Sequence, residues 1–193
     1  MSSQRLSPSR VMALLTARNG ILGHGANGIV FLVSYEGEKC ALKIGVSERQ
    51  SESFERERHI LEALAGAGGA PRALAYCPEM PALLMSFCHG KTLDELLSGS
   101  SHLSDWDYLN IALMLCEALQ EIHQAGVIHV DLKSDNVIIE TSESGYPVGV
   151  RVIDFGHAVF VGGRFPATAA SSHKRWYCDC FFSGRAMTPA CDV

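Results

Sequence analysis

His129-Val130-Asp131-Leu132-Lys133-Ser134-Asp135-Asn136 follows a long apolar helix pattern and precedes a short strand, and Asp154-Phe155-Gly156 closes the strand after that. Taken singly, Asp131 or Asp154 reads as a cap or turn residue. Upstream, Gly23-His24-Gly25-Ala26-Asn27-Gly28-Ile29-Val30 spaces three glycines on a strand–turn–strand. Such spacing lets backbone N–H groups approach a polyphosphate closely. The glycine pattern alone is weak, and a dinucleotide-binding turn needs a helix after its third glycine. Here Ile29 to Val33 continues as a strand, so that reading loses. Lys43, in Ala41-Leu42-Lys43, lies on the next strand. A lone strand lysine is usually a surface residue, but in this register it could meet the α- and β-phosphates of a nucleotide.

The elements between these motifs follow from periodicity. Ile29 to Val33 and Cys40 to Ile44 read as strands around a turn at Glu36-Gly37-Glu38. Residues 50–65 read as a helix with Phe54, Ile60, Leu61 and Leu64 apolar, ended by the glycines of 66–69. Strands are expected near 72–76 and 82–88, and a short helix capped by Thr92 over 92–98. A long helix begins at Ser104, with Asp107 completing a capping box, and stops at Gly126. Leu109, Leu113, Cys116, Leu119 and Ile122 form one face, widened by Ala112, Leu115 and Ala118, so this helix is expected to be mostly buried. Strands near 137–140 and 149–153 flank a polar turn. The order predicts a small sheet-rich lobe and a helical lobe joined near residues 86–91. Residues 1–20 read as a polar, solvated arm with a short amphipathic piece, Val11 to Arg18.

Composition narrows the classes. The 193 residues are 47% hydrophobic and 19% charged, a globular balance. Sixteen Lys and Arg against twenty-one Asp and Glu give a net charge of −5, which argues against wholesale nucleic-acid binding. Residues 36–154 hold nine bases and nineteen acids, whereas 155–193 hold four bases and two acids. No apolar run approaches the ~18 residues of a membrane span. The run Val11 to Leu15 is too short for a signal-peptide core, so no membrane partner is expected. The seven cysteines include no C-x-x-C pair. Cys40, Cys77, Cys88 and Cys116 are expected to be reduced core thiols of a cytoplasmic or nuclear protein. Cys178, Cys180 and Cys191 gather with His173, but their spacing matches no standard zinc pattern, and no zinc site is expected.

The three motifs, in this order and separated by these elements, resemble the eukaryotic protein kinase family over about Ile21 to Val193. The resemblance implies an α+β, two-lobed fold: a sheet-rich N-lobe over 21–88 and an incomplete helical C-lobe over 89–193. It implies ATP and Mg²⁺ as cofactors and a protein substrate. Gly23, Gly25 and Gly28 would line the phosphate-covering loop, and Val30, Ala41 and Ile138 the adenine site. Met85 falls at the gatekeeper position, with Phe87 and Cys88 in the hinge. Lys43 would hold the phosphates and be held by Glu57, in Glu57-Arg58-His59-Ile60-Leu61, with Glu55 as the second choice. Asp131 would accept the substrate hydroxyl proton, and Asn136 and Asp154 would bind Mg²⁺. Lys133, two residues after Asp131, resembles the serine/threonine-kinase signature and would stabilise the transferring phosphoryl group. His129 reads as a packed core histidine, Asp135 as a solvated acid, and His24 and Asn27 as exposed.

Three departures from the family stand out. Val130 replaces the arginine that couples a phosphorylated activation segment to the site, which puts control through Thr168, Ser171 or Ser172 in doubt despite the nearby Lys174 and Arg175. Tyr177-Cys178-Asp179-Cys180-Phe181 stands where the family has Ala-Pro-Glu, whose glutamate forms a buried ion pair. Thr188 to Val193 resembles the start of the family's central buried helix, with Asp192 at its anchoring aspartate. The expectation is therefore a truncated C-lobe whose long helix exposes apolar surface that a partner could cover. Two other readings compete with an active serine/threonine kinase. One is a catalytically impaired nucleotide-binding module. The other is a small-molecule phosphotransferase of the aminoglycoside type, against which Lys133 and the glycine loop argue.

Overall fold

Two continuous apolar runs, Ile29 to Val33 and Cys40 to Leu42, build the hairpin at the centre of the first folded unit. The structure is a computed structural model and describes residues 3–25, 28–47, 50–99, 103–165 and 177–193. In chain order it opens with strand β1 (Gln4–Arg5), helix α1 (Pro8–Thr16), and strands β2 (Gly20–Gly25), β3 (Gly28–Tyr35) and β4 (Glu38–Ile44). Helix α2 (Ser51–Leu64) and strands β5 (Ala73–Cys77) and β6 (Ala82–Ser86) follow. The six strands form one sheet in the order β1-β5-β6-β4-β3-β2. The β3–β4 turn places Glu36 at φ 52° and Gly37 at φ 86°. Two consecutive positive φ values match the right-handed strand twist, which keeps this hairpin tight.

Chain contacts divide the molecule into two units, residues 1–65 with 71–87, and residues 66–70 with 88–193. Gly66 to Ala70, expected within the 21–88 lobe, thus belong to the second unit. The expected N-terminal arm over 1–20 is part of the first. Ser7 caps α1 by accepting from the Arg10 N–H, and Pro8 pre-sets the first turn. Leu6, Val11 and Leu14 are buried with Val33, Cys40, Leu42, Ala75, Cys77, Ala82 and Leu84. Burial of these side chains fixes the segment, because each buried aliphatic contributes roughly 1.5–3 kcal/mol.

The second unit opens with β7 (Lys91–Thr92), α3 (Leu93–Ser98) and α4 (Asp105–Gln124). It continues through β8 (Val127–Ile128), β9 (Val137–Thr141), β10 (Pro147–Val152), β11 (Val159–Phe160) and α5 (Asp179–Ser183). Thr92 and Ser104 each make the full capping box, with Glu95 and Asp107. β10, β9 and β7 form one small sheet, and β11 with β8 another. Helix α4 buries Ala118 and Ile122 of the expected face, but turns its Leu109, Leu113 and Cys116 side outward. Its buried residues are Asp107, Ile111, Ala118 and Ile122, whereas Leu109 is 60% and Leu113 58% exposed, with Trp106 at 74%. Cys116 lies on the exposed side too, so it is not a core thiol. Gly68 explains the choice: at φ 62° it approaches α4 so closely that a Cβ there would meet the Ala118 carbonyl and the Ile122 side chain at 2.6 Å. Among the described residues, no helix is long and apolar enough to cross a membrane.

Candidate active site

In the first unit, cross-strand register decides which side chains share a face of the sheet. Val30 pairs with Lys43, Lys43 with Leu83, and Ala41 with both Leu32 and Met85. Val30, Ala41, Lys43 and Met85 therefore project to one side, because directly opposed residues share a face and neighbours along a strand alternate. α1 covers the opposite side. On the Lys43 side, the ammonium donates to both oxygens of Glu57, at 2.9 and 2.7 Å. Lys43 is 4% and Glu57 2% exposed. Glu55, the second choice, is exposed and lies 3.7 Å from Arg58 instead. Arg58 also pairs with Glu62 at 2.9 Å and stacks over Tyr76. These contacts lock the rotation of α2 and aim Glu57 at the sheet.

The three glycines differ in what holds them. Gly28 sits at φ 125°, and a Cβ there would meet the Ile44 carbonyl oxygen at 2.2 Å, so the protein's own packing demands glycine. A Cβ at Gly23 or Gly25 would meet nothing within 4 Å. Open space over these two residues, on an exposed strand end, fits a cradle for a polyphosphate. His24 is exposed, and Ala26 and Asn27 lie outside the described residues.

In the second unit, the loop after β8 carries the polar cluster. Asp131 is 2% exposed and accepts from the Lys133 ammonium at 3.2 Å. Asn136 is 4% exposed and donates its Nδ2 to the Asp131 backbone carbonyl at 2.8 Å. That bond fixes the amide and leaves its Oδ1 as an oxygen ligand. Asp154 is brought alongside by the β9–β10 ladder, in which Val152 opposes Val137 and the Ile153 N–H donates to the Asn136 carbonyl at 2.9 Å. Two hard oxygen donors so placed suit Mg²⁺. Asp154 adopts φ 60°, which lets the next residue, Phe155, turn into the core edge-on to His129 at 4.9 Å. His129 is fully buried, as its core reading expects, and Asp135 is exposed.

Val130 takes φ 73°, a strained left-handed conformation for a β-branched residue. Asp192 holds it there: its carboxylate accepts from the N–H groups of His129 at 2.8 Å and Val130 at 2.7 Å, and bonds the His123 ring at 2.9 Å. Sequence reading missed two neighbours of the site, His157, whose Nδ1 lies 3.9 Å from the Asp131 carboxylate, and Tyr177. The Tyr177 hydroxyl donates to the Asp131 carboxylate, and burial, then the charge of Asp131, push that phenol well above its usual range. No local signal links residues so far apart in the chain. Of the remaining predicted residues, Phe87 is half-buried at the end of the first unit. Cys88 opens the second unit and is buried, which raises its thiol to about 11. Ile138 is half-buried in β9, opposite Thr92 and Arg151. Thr168, Ser171, Ser172, His173, Lys174 and Arg175 lie outside the described residues.

The family model described as "Protein kinase domain" matches residues 16–193. The chain belongs to the protein kinase family. This kinase domain is similar to a probable serine/threonine-protein kinase of Dictyostelium discoideum, with 28% identity over 183 residues covering 89% of this chain and 11% of the relative. It is similar to the serine/threonine-protein kinase unc-51 of Caenorhabditis elegans, with 28% identity over 172 residues covering 81% and 20%. It also resembles the serine/threonine-protein kinase OXI1 of Arabidopsis thaliana, with 29% identity over 178 residues covering 80% and 39%. The chain thus spans between about a tenth and two fifths of the length of these relatives. The N-lobe and C-lobe expected from the motifs are those of a protein kinase domain, in an α+β fold.

Proposed function

We propose that this kinase domain transfers the γ-phosphoryl group of ATP to serine or threonine hydroxyls of a protein. The observation that carries the reading is the buried, two-pronged contact of Lys43 with Glu57, which aims a fixed ammonium from the face shared by Val30, Ala41 and Met85. A buried ion pair is costly to desolvate and is weak evidence for stability, so a functional use explains it better. In this reading Lys43 binds the phosphates, and the open backbone at Gly23 and Gly25 covers them. Val30, Ala41, Met85 and Phe87 in the first unit, and Cys88 and Ile138 in the second, are the residues assigned to the adenine. Asn136 and Asp154 would hold Mg²⁺, whose charge would offset that of the phosphate oxygens. Asp131 accepts the proton of the attacking hydroxyl. Lys133, 3.2 Å from that carboxylate, places a cation where the phosphoryl group passes, which supports a serine/threonine rather than tyrosine acceptor. The seven free cysteines support a reducing compartment, the cytoplasm or nucleus.

Incorporation of labelled phosphate from ATP into a generic basic protein tests this. Lys43→Met and Asp154→Asn are expected to lower the rate by about 10²-fold or more. Equal incorporation by all three proteins refutes the proposal. One observation favours a second reading, a nucleotide-binding module without turnover: the Tyr177 hydroxyl occupies the carboxylate that the reaction needs. Thermal stabilisation by Mg-ATP, with no turnover by the wild type and turnover gained by Tyr177→Phe, is the result that supports it.

A further inference from the structure

Cys178, Cys180 and Cys191 converge where their sequence spacing gave no metal pattern. Their sulfur atoms all lie within 4.8 Å of one another. None is in a disulfide. Cys178 precedes the first turn of α5, Cys180 sits within that turn, and Cys191 lies in the short 3₁₀ turn Pro189–Asp192. Cys178 and Cys191 are close enough to share a hydrogen bond, so the cluster is drawn together across a loop rather than along one helix. Cys191 belongs to a buried apolar cluster with Ile128, Val130, Tyr177, Phe181 and Met187, and Cys178 and Cys180 pack against that cluster. Cys191 is buried, while Cys178 and Cys180 are half-buried, which leaves an approach from solvent.

We propose that Cys178, Cys180 and Cys191 form a zinc site, with three thiolate ligands and a fourth position open to water. Zn–S bonds of about 2.3 Å in a tetrahedron hold sulfurs about 3.8 Å apart, so the present spacing closes onto the ion with side-chain movement of about 1 Å. Thiolates reject the oxygen-seeking Mg²⁺ and Ca²⁺ and take soft or borderline ions. Zn²⁺ imposes no geometry of its own and accepts three protein ligands with one position open. Each thiol releases its proton to solvent as it binds. The ion ties α5 to the 189–192 turn, and that turn carries Asp192, which holds the His129 and Val130 amides. Zinc therefore stabilises the segment on which the Asp131 loop rests.

The test uses the full chain, purified in a phosphine reductant and stripped of metal. Titration with Zn²⁺ against a chromogenic chelator is expected to show one ion bound per chain. Co²⁺ in its place is expected to give thiolate-to-cobalt charge-transfer absorption with intense tetrahedral visible bands. Alkylation followed by mass spectrometry is expected to label three fewer thiols when zinc is present. Cys178→Ser, Cys180→Ser and Cys191→Ser each weaken zinc binding about 10-fold or more and remove the charge-transfer band, while Cys116→Ser, outside the cluster, changes neither. Circular dichroism melts of the metal-free variants show whether each still folds, and the cobalt spectrum of the wild type stands whatever they show. The proposal is overturned if the wild type takes up no stoichiometric zinc or labelling of these three thiols is unchanged by it. A site that takes Cu⁺ but not Zn²⁺ overturns it as well.

Discussion

Asp192→Ala should unlock the loop that carries Asp131, and the size of the effect follows from what the carboxylate holds. One oxygen accepts from the Val130 N–H at 2.7 Å, the other from the His129 N–H at 2.8 Å and the His123 ring at 2.9 Å. His129 is 0% and Val130 2% exposed, so alanine leaves two buried amides with no water to replace the acceptor. Each orphaned donor costs about 1–3 kcal/mol. Release of Val130 from φ 73° returns about 1–2 kcal/mol of backbone strain. The net destabilisation is about 2.5 kcal/mol, within a span of about 0–5 kcal/mol. Asp192→Asn keeps one acceptor oxygen and should cost about half as much. His123→Ala removes one partly exposed partner and leaves both amides paired, so it should cost no more than about 1 kcal/mol. Urea melts measure the three differences, and hydrogen exchange reads the His129 and Val130 amides directly. Those amides should be protected in the wild type and exchange with the loop in Asp192→Ala. If alanine costs no more than His123→Ala, or if the two amides exchange at wild-type rates, the clamp assigned to Asp192 is wrong.

Glu57→Ala strands a buried ammonium and should cost about 3–5 kcal/mol in urea melts, whereas Glu55→Ala, at an exposed carboxylate, should cost under about 0.5 kcal/mol. Val11→Ala removes a fully buried side chain that joins α1 to the sheet and should cost about 1–3 kcal/mol, a loss that a solvated arm would not show. The Cys88 thiol, raised to about 11 by burial, favours the folded state only while the thiol is neutral. Its contribution is complete below the unfolded value near pH 9 and is lost as pH rises from 9 to about 11. The loss is at most about 2–3 kcal/mol, and Cys88→Ser should flatten that part of the stability profile. Iodoacetamide at pH 8 should label the exposed Cys116 well before Cys88.

What the sequence disclosed was what short-range chemistry encodes. Caps at Thr92 and Ser104 were readable because the acceptor and the Glu or Asp that answers it are three residues apart. Lys43 and Glu57 were matched through motif resemblance, and the β3–β4 register with the rotation of α2 then brings them together. Helix α4 was harder. It is apolar nearly all round, so periodicity offers several faces, and the leucine stripe of 109 and 113 is the more hydrophobic one. The inward face is chosen by Gly68, more than forty residues earlier in the chain, and no pattern local to α4 contains that information. Helix α1 overlaps the amphipathic piece expected over Val11 to Arg18, but its start at Pro8 and its burial differ from a solvated arm. Ser7 and Pro8 are a usable start signal, but the polar composition of the first twenty residues outweighed it.

The two departures from the family pattern bear on each other. With Val130 in place of the coupling arginine, a phosphate on the segment after Asp154 has no guanidinium at this position to pull on. Tyr177 and Phe181 then occupy the region apolarly, stacked at 4.3 Å, with Phe165 on Phe181 at 4.7 Å and on His157 at 5.4 Å. Val130 belongs to the same buried cluster. Apolar packing thus surrounds the position where the family carries its arginine. Tyr177 reaches from this cluster to the Asp131 carboxylate, so anything that fixes α5 also fixes a neighbour of Asp131. Tyr177→Phe separates the two roles of that residue, because it keeps the ring stack and deletes only the hydrogen bond. If the hydroxyl blocks the carboxylate, phosphotransfer rises with no loss of melting temperature. If the hydroxyl orients Asp131, phosphotransfer falls at an unchanged melting temperature. An effect on neither activity nor stability removes Tyr177 from the site.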